Sequence, residues 1–190
     1  MKKIAFIALI VALSTTLSAE IKKVYYDHAK KHVKFVRNYK NGKLNGVAKA
    51  YYKSGDLKTK TYFVDGKVDG TTYGFYKNGK LKAVIPMRQG KINGVMKEYY
   101  DNGQLMSVSS YVMGQPIGNK KSYYRNGNLK AKIHYNDDGL LDGTQKEYYS
   151  NGNLKYVVKT DNGKAKSGRI YGIKGDQRKM TIEDFDKMGL

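Results

Sequence analysis

The chain has 190 residues and a formal charge of +20, from 36 Lys and Arg against 16 Asp and Glu, with 21 Gly, 18 Tyr, 2 Pro and neither Cys nor Trp. That length suits one domain, and the missing thiol excludes a disulfide scaffold, thiolate metal sites, a cysteine nucleophile and a lipidated N-terminal Cys. With 40% hydrophobic residues and an aromatic content that is mostly Tyr, the composition fits neither a disordered polyelectrolyte nor an oily core.

Residues 1–19 read as an export signal: Lys2 and Lys3 form a basic start, Ile4 to Leu13 an apolar stretch, and Ser14 to Ala19 a small, polar end. Ten apolar residues are too few to span a bilayer. Cleavage is expected after Ser18, with Thr16 at −3, or after Ala19, with Leu17 at −3. Losing Lys2 and Lys3 lowers the charge only from +20 to +18. The product is expected in the periplasm, at the cell surface or outside the cell.

From residue 20 a period governs the chain. Gly42, Gly66, Gly90 and Gly114 stand 24 apart, Gly139 follows after 25 and Gly163 after 24. The same beat carries Tyr52, Tyr76, Tyr100, Tyr124 and Tyr149, and also Leu57, Leu81, Leu105, Leu129 and Leu154. A fixed period of this size signals a repeat architecture in which each unit stacks on its neighbours. The unit is G-K-x-x-G-x-x-x-x-Y-Y-x-N-G-x-L-K. Tyr25-Tyr26 and Val33 to Tyr39 look like a worn unit ahead of the five clear copies, and Gly163 to Gly175 like the start of another.

Each unit is expected to be a β-hairpin. Asn-Gly at Gly79, Gly103, Gly127 and Gly152, replaced once by Ser54-Gly55, is the signal for a two-residue type I′ turn. The segments that follow, such as Leu57 to Phe63 and Leu129 to Tyr135, carry the β-branched and aromatic residues of strands. Glycines four apart then punctuate the return, and Pro86 and Pro116 suggest strand ends or loops. Hairpin after hairpin gives an all-β antiparallel meander of five to six repeats. Counting by twos from each leucine puts Thr59, Thr61 and Phe63, or Ala131, Ile133 and Tyr135, on a compact face. The same count puts Lys58, Lys82, Lys130 and Lys155, with Lys60 and Lys132, in a stripe on the other face. With two strands of about 4.8 Å per unit, equivalent residues recur roughly every 10 Å. In the tail, Thr181 and Asp184 resemble a capping box, and Ile182, Phe185 and Met188 have helical spacing. A short helix in the cap, residues 176–190, is expected to cover the open end of the sheet beyond the repeat domain, residues 20–175.

The unit resembles the bacterial variant of the MORN repeat, and a set of such repeats is similar to the YwqK-like antitoxin family, over about residues 25 to 175. That resemblance implies an elongated single-layer sheet acting as a scaffold or binding surface, sometimes at membranes; it also implies, as an alternative, an antitoxin-like protein that neutralises a partner protein. The export signal departs from the antitoxin pattern.

Catalytic chemistry finds little support. His28 and His32 follow Asp27 in a lengthened turn and read as loop residues, with no metal site expected. His134 reads as a surface strand residue. Neither G-x-x-x-x-G-K-[ST] nor G-x-S-x-G occurs, and Glu98 and Glu147 lie at repeat positions without forming a catalytic pair. No enzyme, cofactor or small-molecule substrate is expected. The basic, tyrosine-rich surface points instead to an anionic membrane, an acidic glycan or a protein. Lysines interleaved with rings also suit single-stranded nucleic acid, against which export argues.

Overall fold

The computed structural model describes residues 19–189, so the expected export signal lies, except for Ala19, outside the described residues. The hairpin periodicity becomes one open antiparallel sheet. Its strands are β1 (Ala19–Tyr25), β2 (Val33–Lys40), β3 (Lys43–Tyr51), β4 (Leu57–Val64), β5 (Lys67–Val68), β6 (Gly70–Phe75), β7 (Leu81–Arg88) and β8 (Lys91–Ile92). They continue as β9 (Gly94–Tyr99), β10 (Leu105–Val112), β11 (Gln115–Tyr123), β12 (Leu129–Tyr135), β13 (Gly143–Tyr148), β14 (Leu154–Asp161), β15 (Lys164–Tyr171) and β16 (Gln177–Lys179). Neighbours in sequence are neighbours in the sheet, except that β5 and β8 are short leads into β6 and β9. The worn first unit is the β1–β2 hairpin.

Two kinds of turn alternate, except that the return at Asp137 to Gly139 is also a three-residue loop, and they reverse the expected assignment. At Asn78-Gly79 the loop has three residues: Gly79 N–H donates to the Tyr76 carbonyl and Tyr76 N–H to that of Lys80. Gly79 has φ +78°, whereas Asn78 is not left-handed. This is a type I turn followed by a left-handed glycine bulge. The reason is local: Asn78 Oδ1 accepts from Lys80 N–H at 3.1 Å, a bond repeated at Asn102, Asn126 and Asn151. The two-residue turns with both residues left-handed lie at Asn41-Gly42, Asp65-Gly66, Gln89-Gly90, Met113-Gly114 and Asn162-Gly163. These are the glycines that had read as mere punctuation.

The second glycine of each four-apart pair makes a different bulge. Gly94 has φ +117°, and a Cβ there would stand 3.1 Å from Pro86 Cγ. Pro86 pairs with Thr71 inside β7, and Pro116 with Tyr111 at the start of β11. Both prolines are therefore strand residues and not loop residues, tolerated where a bulge interrupts the ladder.

Burial is one-sided. Among the described residues Ser107, Ser109, Ala131, Gln145, Val158 and Thr160 are the buried ones, and all point to the face of small residues. The tail helix α1 (Ile182–Met188) forms with its capping box: Thr181 and Asp184 exchange side-chain and backbone hydrogen bonds. It does not cover the open end as expected. Instead Met180 and Phe185 stand where a Gly168 side chain would be, over the Val158–Gly168 pair, so the helix lies on the small-residue face.

Candidate functional site

Tyrosine tethers join the repeats. The second aromatic of each unit reaches across to the next: Tyr52 hydroxyl donates to the Phe75 carbonyl at 2.8 Å, Tyr76 to Tyr99 at 2.7 Å and Tyr100 to Tyr123 at 2.7 Å. Tyr124 continues to Tyr148 at 2.7 Å and Tyr149 to Tyr171 at 2.9 Å. Tyr26 opens the series on Tyr51 at 2.8 Å. A carbonyl at the end of each strand is thereby satisfied by a ring one repeat away, and burial pushes the Tyr76 phenol up from its usual value.

The expected lysine stripe divides between two faces. In every unit a one-residue bulge follows the leucine: Leu57 pairs with Tyr51 and Thr59 with Ala50, leaving Lys58 unpaired between them. Lys82, Met106, Lys130 and Lys155 occupy the same place. Strict alternation fails at that residue. Lys155 shows where the side chain goes: its Nζ is 2.8 Å from Glu147 Oε1, and Glu147 pairs with Tyr156 on the small-residue face. Lys58, Lys82 and Lys130 place their ammonium groups 5.6, 5.6 and 5.8 Å from the ring centres of Tyr52, Tyr76 and Tyr124, within cation–π range. Lys60 and Lys132 belong to the opposite face.

On that opposite face the pairing builds a row that counting along single strands does not reveal. Lys23 lies opposite Val36, Val36 opposite Lys49, Lys49 opposite Lys60, and Lys60 opposite Tyr73. The row runs on through Val84, Lys97, Val108 and Lys121 to Lys132 and Lys146. Val157, Arg169 and Lys179 complete it. It contains no acidic residue, and among the described residues none of its cations joins a salt bridge. Lys60 is held protonated above its usual value by the Tyr62 hydroxyl beside it. A shallow depression of about 420 Å³ lined by Val157, Lys159, Ser167, Arg169, Tyr171 and Lys179 ends the row.

The parallel row on the small-residue face has a different chemistry. It includes Ala50, Thr59, Gly74, Ala83, Glu98, Ser107, Ser122, Ala131 and Glu147. Its carboxylates are engaged: Ser107 Oγ donates to Glu98 at 2.7 Å, and Glu147 holds Lys155. The two faces thus differ in both charge and side-chain size.

The remaining candidates have local partners. Asp27 accepts from the backbone N–H groups of Lys31 and His32 and contacts the His32 ring at 3.0 Å, closing the long first turn. His134 faces Asn119, with Nδ1 3.2 Å from its side-chain oxygen. Nothing in these contacts assembles a nucleophile with a base.

Comparison with known families follows the same period. The family model described as MORN repeat variant matches five times, over residues 44–65, 68–89, 92–113, 116–137 and 141–164. No curated protein matches the chain.

Proposed function

The chain belongs to the family of MORN repeat variants, a repeat-based binding or scaffold protein, and from that premise we propose that it is an exported, non-enzymatic surface for an anionic partner. The observation that carries this reading is the acid-free row across the sheet, in which Lys49 faces Lys60 and Lys132 stands between Lys121 and Lys146. Like charges directly opposite destabilise a sheet by a few tenths of a kcal/mol or more per pair. A ligand of opposite charge offsets that repulsion. Export is supported by the basic start and short apolar stretch of residues 1–19; a mature N-terminus at Ala19 or Glu20, read by mass spectrometry, is the expected result.

The test is titration of the purified protein with long-chain inorganic polyphosphate, phosphatidylglycerol vesicles and polyglutamate, each at low and high salt. Binding to at least one probe, weakening as salt rises, is expected. Failure to bind any of the three at low salt removes the anionic partner and leaves a purely structural scaffold.

A further inference from the structure

Resting on the reading above, we infer that the partner is a flexible linear polyanion laid across the strands, along the stretch of the row from Lys49 to Lys146. Strand neighbours stand about 4.8 Å apart, so the row crosses successive strands as a track of closely spaced charges. Within it Lys121, Lys132 and Lys146 are consecutive members, and the direct pairing fixes their register independently of side-chain rotamer. Lys97 precedes them with only Val108 between.

Shape selects a chain over a plane. Neighbouring strands rotate by roughly 20°, and fourteen strands follow one another along the sheet path. The track from Lys49 to Lys146 crosses nine of them, an accumulated rotation of roughly 160° by that estimate, so a flat bilayer meets a few strands at most, whereas a flexible chain can follow the whole track. Lysine suits this ligand: it offers a point charge without a planar fork, matching repeated anionic groups of variable orientation. The small-residue face offers no equivalent, because Glu98 and Glu147 interrupt its row and Lys155 is already paired.

Two triple variants with equal charge loss separate the faces. Lys121→Gln/Lys132→Gln/Lys146→Gln removes the core of the row, and Lys58→Gln/Lys82→Gln/Lys130→Gln removes the ring-stacked lysines. Against long-chain polyphosphate, the row variant should lose at least about tenfold in affinity at low salt and flatten the log-log salt dependence by about 2. The ring-side variant should lose a fewfold at most. Lys121→Arg/Lys132→Arg/Lys146→Arg, which keeps charge and register, should bind as the parent does. Circular dichroism identifies any variant that fails to fold, and the arginine series then decides between charge and structure. Equal losses in the two glutamine variants would overturn the row while leaving an anionic partner in place. Tripolyphosphate binding as tightly as the long chain would replace the track by a point site. Row-dependent binding to phosphatidylglycerol vesicles without polyphosphate binding would give the surface to a membrane. Absence of binding to every anionic probe would overturn both the track and the function proposed above.

Discussion

A phenolic hydroxyl worth one hydrogen bond holds each repeat to the next. Tyr100→Phe deletes the 2.7 Å bond to the Tyr123 carbonyl and leaves that half-buried acceptor unpaired, so it should cost about 1 kcal/mol in urea unfolding. Tyr99→Phe, on the other ring of the pair, should change stability by less than half as much. The tail helix is pinned by a charge of opposite sign: Arg178 makes two bonds to Asp184, at 2.6 and 2.9 Å. That guanidinium, with the Thr181 backbone N–H and hydroxyl, holds the Asp184 carboxyl well below the usual carboxylate range. Because its folded-state value is depressed, the stabilisation is complete above the unfolded value of about 3.9 and is lost as pH falls below it. Protection of the amides across Ile182–Met188, measured against the unstructured exchange rate at the same pH, should therefore fall below about pH 4, and Arg178→Gln should abolish most of that pH dependence.

At the level of strands and turns, Met113 is the residue most at odds with its place. Its φ is +49° in a two-residue turn where other repeats use Asn, Asp or Gln, and it is 43% exposed, so little packing compensates. Met113→Asn should stabilise the protein by roughly 0.5–1 kcal/mol, and Met113→Val should destabilise it by about 1 kcal/mol or more; thermal melts of the pair decide. Gly103→Ala should cost about 1–2 kcal/mol because φ is +95°, while Asn102→Ala should cost only the two exposed side-chain bonds to Gln104, about 0.5–1 kcal/mol. A two-residue turn at Asn102-Gly103 would instead penalise both. These positions also mark how far the amino-acid pattern could be read. Hairpins, period and capping box were legible because Gly, Tyr and Leu recur in register and Thr181 precedes Asp184 by three. The turn types were not, since Asn-Gly serves both kinds and the choice depends on a hydrogen bond that the Asn side chain accepts from the backbone N–H two residues on. The stripe was misread for a related reason: parity counting assumes every residue is paired, and the unpaired bulge residue Lys58 leaves the alternation, while Thr59 and Lys60 keep the faces expected of them. The row from Lys23 to Lys179 lay beyond reach because it runs at right angles to the chain and exists only once strand register is known.

Across the whole molecule, charge is the main internal opposition. A formal +20 with lysines facing lysines should make the fold more stable as salt screens them, the Debye length shrinking from about 10 Å at 0.1 M to about 3 Å at 1 M. A rise in Tm of about 3 °C or more over that range is expected, and a fall would mean that the surface ion pairs outweigh the repulsion. The sheet's two edges are guarded in the same currency. Outermost β1 carries Lys22 and Lys23 beside an exposed Ile21, and β16 is three polar residues long, features that discourage edge-to-edge association. A layer whose side chains meet mainly their neighbours in adjacent units has few long-distance packing constraints to satisfy. Duplicating one unit of 24 codons therefore adds two strands, one tyrosine tether and about 10 Å of reach while leaving existing contacts as they are. Length becomes a heritable dial with fixed clicks, and a lineage can match its gauge to the size of what it holds without redesigning a single interior.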